Sequence, residues 1–101
     1  MAKSSVDKAI DELNKKYPEI NAVDVDEWDQ RGEGRGIWFR GSENGVEASD
    51  GNRLISYYGW ESDPEGKIWD MGVHKELVAV LEKHGLYGEF NDPGTLMAFK
   101  C

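Results

Sequence analysis

Apolar positions near the start of the chain recur with helical spacing. Val6, Ile10, Leu13 and Tyr17 are separated by four, three and four residues, which places them along one face of a helix. Pro18 should end this element, because the residue before a proline is driven out of the α region. The pattern predicts an amphipathic helix that stops at Tyr17.

Residues 20–58 carry short β signals instead. The run Val23-Asp24-Val25-Asp26 alternates apolar and acidic positions, which predicts a strand with its valines inward and its carboxylates outward. Asn44-Gly45 and Asp50-Gly51 are hairpin and turn signals. Further strands are predicted where β-forming residues lie between such signals, over residues 37–40, 46–48 and 53–58. Together the four runs predict an antiparallel meander.

The C-terminal part predicts a second helix and a hairpin. A helical stripe with Leu77 and Leu81 at its centre predicts a helix from Asp70, as the N-terminal cap, to His84, with Gly85 as a left-handed C-terminal cap. Residues 86–90 and 95–99 flank a proline turn and predict two more strands. The order helix, four strands, helix, two strands predicts one α+β domain over residues 1–101, with two helices and an antiparallel sheet of about five to six strands.

Charge is unevenly distributed along the chain. Residues 19–70 hold 13 acidic and 5 basic residues, so the whole net charge of −8 lies in the middle of the sequence. A solvated surface of ordinary charge is one interpretation. The other is an acidic face that attracts a basic partner. Either way, direct binding to a phosphate backbone is disfavoured.

The predicted location follows from segments that the sequence lacks. The only cysteine is Cys101, so no internal disulfide can form. The first residues contain no apolar run like that of a signal peptide, and no stretch has the length of a transmembrane helix. These features predict a protein of the cytoplasm, in a bacterial host cell, without membrane contact.

The candidate chemical motifs fail on their spacing. The glycine-rich stretch 31–36 matches neither the dinucleotide nor the P-loop pattern, and a predicted strand follows it instead of a helix. A calcium-loop register that starts at Asp24 finds Asp26 and then breaks. His74 and His84 lie too far round their predicted helix to converge on one metal. We therefore expect neither an enzyme nor a cofactor or metal site.

The stretch 59–69 is predicted to be a long acidic loop bracketed by two tryptophans. Such a ring either packs locally or serves as a binding anchor on the loop; we expect the anchor for Trp60 and the core for Trp69. The residues predicted to contact a partner are acidic or aromatic and lie in the middle of the chain: Asp24, Asp26, Asp29, Glu33, Trp60, Glu61, Asp63 and Glu65.

Five segments carry a resemblance to small uncharacterised proteins encoded by bacteriophages and prophages. They lie between Ala48 and Phe99: Ala48-Ser49-Asp50-Gly51, Tyr57-Tyr58, Gly72-Val73-His74-Lys75, Leu81-Glu82-Lys83-His84-Gly85 and Asp92-Pro93-Gly94-Thr95. The resemblance implies a bacteriophage or prophage setting, and the small acidic proteins of that setting often include inhibitors of host defence, such as anti-CRISPR and anti-restriction proteins, some of which mimic DNA. Together with the acidic middle of the chain, this leads us to expect a non-enzymatic inhibitor whose partner is a basic, nucleic-acid-binding protein. The alternative is a small structural or accessory protein, a monomer or dimer, that self-associates through exposed tryptophans.

Overall fold

The first helix follows the predicted stripe. The computed structural model describes residues 5–25, 36–42, 44–92 and 94–100. Helix α1 spans Ser5–Lys16 and carries Lys15 and Lys16 in its last turn, where cations complement the helix dipole. Its inward face buries Val6, Ala9, Leu13 and, just beyond the helix, Tyr17. A short 3-10 helix, Pro18–Ile20, then turns the chain into the sheet.

Four antiparallel strands form the main sheet. They are β1 (Ala22–Asp24), β2 (Gly36–Phe39), β5 (Leu86–Asp92) and β6 (Thr95–Lys100), in the order β1-β2-β6-β5. Strands β3 (Trp69–Asp70) and β4 (Val73–His74) form a separate two-stranded hairpin. Helix α2 (Lys75–Lys83) follows directly, and Gly85 beyond it has a φ of +72°. The prediction of a left-handed residue there is confirmed.

Both helices pack on one face of the main sheet, and the core lies between them and the strands. Helix α1 contacts β1 and β2, whereas α2 contacts β5 and the small hairpin. The largest fully buried side chains come from both layers: Phe39, Leu13, Ile20, Ile37, Leu54, Leu77, Leu81, Leu86, Leu96 and Val6. The predicted α+β class is confirmed. Among the described residues, no helix has the length and apolarity that crossing a membrane requires.

The predicted meander is wrong in its second half. Residues 46–48 and 53–58 form no regular strand and are held by isolated bridges, Glu47 to Arg53 and Ile55 to Val73. The neighbour of β2 is instead β6, whose residues 96–98 are buried. An apolar strand from the far end of the chain therefore takes the place that local turn signals had assigned to residues 46–48.

The predicted orientation of the first strand is wrong within β1, although Val25, just beyond the strand, is buried as expected. Asp24 lies opposite the buried Ile37, so it is on the same face as Ala22, the side that packs on α1. Val23 lies opposite Trp38 on the other face and is only half-buried. Pairing with β2 sets this register, and a shift of one residue exchanges the two faces of a strand.

Candidate functional site

The 59–69 loop is organised by the carboxylate of Asp63. The loop opens with a 3-10 turn, Gly59–Glu61. Asp63 then accepts backbone hydrogen bonds from Lys67 at 3.0 Å, Ile68 at 2.7 Å and Trp69 at 3.0 Å. These donors, that of Trp69 first, hold the pKa of Asp63 below its usual range. Because Asp63 is 8% exposed, its carboxylate serves the loop itself.

Trp69 ties this loop to two other parts of the chain. Its indole N–H donates to the carbonyl of Arg53 at 2.7 Å, and its ring meets the ring of His74 edge-on at 6.5 Å. Gly59 lies against the indole so closely that a Cβ there would be 2.9 Å from ring carbons. The half-buried ring of Trp69 thus fixes the loop against β4 and against residues 53–59.

The β3–β4 hairpin presents an exposed methionine at its tip. Met71 has a φ of +52° and Gly72 a φ of +86°, as in the type I′ turns of two-residue hairpins. Glycine adopts this left-handed region without strain, whereas the Cβ of methionine makes it sterically unfavourable. The side chain of Met71 is nevertheless 89% exposed. The hairpin tip therefore presents a large apolar side chain to solvent.

An open cleft separates this hairpin from β5. It has a volume of about 870 Å³. Tyr57 packs edge-on against Phe90 inside it, with ring centroids 5.1 Å apart, and against Tyr58 at 4.9 Å. Tyr57 is 40% exposed and Tyr58 57%. The lining combines aromatic, acidic and small residues: Tyr57, Asp63, Pro64, Gly66, Trp69, Asp70, Met71, Gly72, Lys75, Gly88, Glu89 and Phe90.

The structure brings together only some of the residues that the sequence predicted for partner binding. Glu61 and Glu65 are exposed on the loop, and Glu65 pairs with Lys67 at 2.8 Å across the surface. Asp63 lies in the same loop but is turned inward, and Asp24 is remote in sequence and half-buried in β1. The remaining predicted contacts lie outside the described residues: Asp26, Asp29, Glu33 and the side chain of Trp60.

His74 is the structural cap of α2, which replaces the predicted cap at Asp70. Its Nδ1 accepts the backbone N–H of Glu76 at 2.9 Å, and its Nε2 lies 2.9 Å from Oδ2 of Asp50. Since Nδ1 accepts, the ring proton is on Nε2 and is donated to Asp50. Both ring nitrogens are therefore engaged, so the buried His74, paired with an exposed Asp50, has no nitrogen left with which to act as a general base.

The second histidine stabilises the packing of the two helices. His84 Nε2 lies 2.9 Å from Oε1 of Glu12, and Lys83 Nζ lies 3.1 Å from the same oxygen. The hydrogen bond from His84, followed by that from Lys83, lowers the pKa of Glu12. Within the ranges that the structure describes, no group of three or more His, Cys, Asp or Glu residues could hold a metal ion.

These hydrogen-bonded acids predict acid sensitivity. Hydrogen bonds from Asn52, then from His74, lower the pKa of Asp50 to about 2. The folded protein therefore binds fewer protons than the unfolded chain between pH 4 and pH 2, so stability rises with pH there. We expect the melting temperature to fall steadily below about pH 4, the unfolded value for aspartate.

Thermal unfolding followed by circular dichroism from pH 2 to pH 7 tests this expectation. Asp50→Asn should make the fall in melting temperature below pH 4 less steep. Glu82→Gln, which changes an exposed acid of α2, should leave that fall as steep as in the unmodified protein. An equally steep fall in all three proteins would contradict the role given to Asp50.

The residues that define the cleft share no local signal in the sequence. Tyr57, Met71 and Phe90 come from a loop, a hairpin tip and a strand, so no local spacing relates them. The one available signal was Met71-Gly72, whose glycine permits a hairpin turn, but the adjacent Asp70 suggested a helix cap.

No family model, curated protein or solved structure matches the chain. Its function is therefore inferred from its own side chains and their arrangement.

Proposed function

We propose that this protein binds a basic partner protein through the surface formed by the cleft and the 59–69 loop. The observation that carries the proposal is the set of large exposed side chains beside the cleft. Tyr57, Tyr58 and Met71 are 40%, 57% and 89% exposed, and they come from neighbouring parts of the fold. A cluster of this kind is typical of a protein interface, where tyrosine and methionine are enriched.

The acids near this cluster indicate the charge of the partner. Asp70 and Glu89 line the cleft, and Glu61 and Glu65 are exposed on the adjacent loop. Lys75 lines the cleft too, but it is outnumbered there. Acidic side chains beside an apolar contact area attract a positively charged surface and accelerate its association.

A nucleic-acid-binding protein is the partner class that best fits this charge. The grooves of such proteins neutralise phosphates with lysine and arginine. A chain with a net charge of −8 can compete for such a groove. We therefore propose that the protein acts as a non-enzymatic inhibitor that occupies the basic surface of a host defence protein, in the manner of anti-CRISPR proteins.

Self-association through the tryptophans has less support. The indole N–H of Trp69 is bonded to Arg53 and its ring packs on Gly59, so this side chain is already engaged within the fold. Sedimentation velocity at increasing protein concentration tests the alternative: a monomer throughout favours the partner hypothesis.

Charge reversal at the loop tests the proposal. Glu61→Lys combined with Glu65→Lys should slow association with the partner about ten-fold at low salt. The partner is first captured from a bacterial lysate, identified by mass spectrometry and purified, and the association rate is then measured on a sensor surface. The effect should shrink at 1 M salt, where the screening length is about 3 Å.

A second double substitution tests whether the slower association comes from the loop or only from the change in net charge. Glu19→Lys combined with Glu47→Lys changes two other exposed acids by the same total charge. Both pairs are compared at about 0.15 M salt, where the screening length is about 8 Å, and there this second pair should slow association by no more than about two-fold, because exposed charges farther than that from the partner are largely screened. Equal effects from the two pairs, or a captured partner without a basic surface, would contradict the proposal.

A further inference from the structure

Strand β5 is an edge strand, and the hydrogen bonds of the sheet show which of its backbone groups are free. Arg40 N–H donates to the carbonyl of Asn21 at 3.2 Å, and Val25 N–H donates to the carbonyl of Gly36 at 3.0 Å. Gly36, the first residue of β2, and Arg40, the residue after the strand, therefore bond toward the β1 side. Bonding direction alternates along an antiparallel strand, so Ile37 bonds in the opposite direction, toward β6.

The same alternation can be followed through β6 into β5. Ile37 lies opposite Ala98, so the neighbouring Met97 bonds toward β5, where it lies opposite Glu89. Gly88 and Phe90, on either side of Glu89, consequently direct their N–H and C=O groups away from the sheet. Apart from the β5–β6 ladder, no hydrogen bond within the described residues involves the backbone of Gly88 or Phe90.

The free edge faces open space. The cleft of about 870 Å³ is lined by residues 88–90, and a second cavity of about 150 Å³ is lined by residues 86–88. Both cavities also share Asp70 and Met71 of the β3–β4 hairpin. A continuous slot therefore runs along β5, with the hairpin tip as its opposite wall.

We propose that this slot takes an extended segment of the partner protein, which adds to the sheet as a strand beside β5. Unpaired edge groups are a template for strand addition, in which main-chain hydrogen bonds provide affinity and side-chain pockets provide specificity. The basic character of the segment rests on the proposed function. It agrees with the walls of the slot, where Asp70, Glu82 and Glu89 face a single Lys75.

A second copy of the chain fits the slot less well. Full-length antiparallel pairing of β5 with itself is centred on Glu89, the middle of the seven-residue strand. That arrangement places Glu89 directly opposite Glu89 of the second copy, and like charges at opposed positions are destabilising. Acidic edge residues are a known means of preventing such self-pairing.

Amide hydrogen exchange with a defined peptide tests the proposal on the unmodified protein. The probe is a blocked seven-residue peptide of alternating lysine and valine, added at about ten times its Kd. Exchange of the Gly88 and Phe90 amides should slow about ten-fold, since the bound fraction is protected. The Glu89 amide, which already bonds to β6, should change little.

A pair of substitutions at one position tests the backbone contact. Gly88→Pro removes the outward N–H without touching the ladder to β6, so peptide affinity should fall at least about ten-fold. Gly88→Ala is the matched control. Its Cβ would lie 3.4 Å from Val73 and 3.5 Å from Leu96, which is ordinary contact, and its N–H is retained. Peptide affinity should stay within about two-fold of the unmodified protein.

The outcomes distinguish the slot from the proposed function. Binding of the lysine peptide without slower exchange at Gly88 and Phe90 would overturn strand addition and leave an electrostatic partner surface. A neutral threonine–valine peptide that protects these amides equally well would support strand addition and remove the preference for a basic partner. Protection that appears with protein concentration alone would overturn the proposal in favour of self-pairing. If no peptide protects the two amides, the proposal is wrong, even where Gly88→Pro fails to fold.

Discussion

Gly72→Ala should be much less stable than Gly51→Ala, although both glycines have nearly the same backbone conformation. Gly72 has a φ of +86° and Gly51 a φ of +85°. An added Cβ at Gly72 would lie 2.9 Å from Phe90, 3.0 Å from the carbonyl of Ser56 and 3.1 Å from Cα of Tyr57. Two of these neighbours are backbone atoms, so they cannot move aside as a side chain would.

The expected size follows from two separate effects. Left-handed strain costs about 1 kcal/mol for alanine at either position. Overpacking at Gly72 adds about 2 kcal/mol, because the hairpin must move away from Phe90. That movement also weakens the hydrogen bond that the N–H of Ser56 donates to the Gly72 carbonyl at 2.8 Å. We therefore expect a loss of about 3 kcal/mol for Gly72→Ala and about 1 kcal/mol for Gly51→Ala.

Urea unfolding measured by tryptophan fluorescence compares the two variants directly. Gly51 is the matched control, because an added Cβ there meets nothing within 4 Å. Equal losses of stability would show that the hairpin does not press on Phe90 and that the cleft is looser than described.

Trp69→Ala should destabilise the fold by about 3 kcal/mol. The substitution removes the indole from Gly59 and from His74, and it leaves the carbonyl of Arg53 without the donor at 2.7 Å. Truncation of a buried tryptophan costs 3–5 kcal/mol, and a half-buried ring belongs near the lower end. Trp69→Phe keeps most of the ring but not the N–H, so it should cost about 1 kcal/mol.

Trp60→Ala should behave in the opposite way. Its backbone is part of the Gly59–Glu61 turn at the start of the acidic loop. We expect stability to stay within about 1 kcal/mol of the unmodified protein, while partner binding weakens by at least 2 kcal/mol, or about 30-fold in Kd. Paired measurements of unfolding and binding decide the point: a large loss of stability would assign Trp60 to the core and not to the interface.

Local patterns were sufficient wherever neighbours in sequence decide the structure. The stripe through Val6 and Leu13 identified α1, because helical periodicity places these residues on one buried face. Gly85 ended α2 as expected, since only its own backbone and the preceding turn are involved. The proline turn likewise joins β5 to β6, where Asp92 lies opposite Thr95.

The start of α2 shows why some boundaries could not be found in this way. Asp70 has the chemistry of a helix cap, yet the helix begins five residues later with His74 as its cap. His74 takes this position because Asp50, 24 residues earlier in the chain, accepts a hydrogen bond from its other ring nitrogen. No pattern within the helix contains that information.

The sequence by itself determined the two helices, the C-terminal hairpin, the α+β class and the acidic middle of the chain, because periodicity, turn residues and charge are local properties. Tertiary structure alone decided that β6 lies beside β2, that Asp63 serves its own loop, and that Met71 stands across an open slot from the edge of β5. Strand register and the packing of loops depend on contacts between residues far apart in the chain. The candidate site consists of such contacts, so no local pattern in the sequence could identify it.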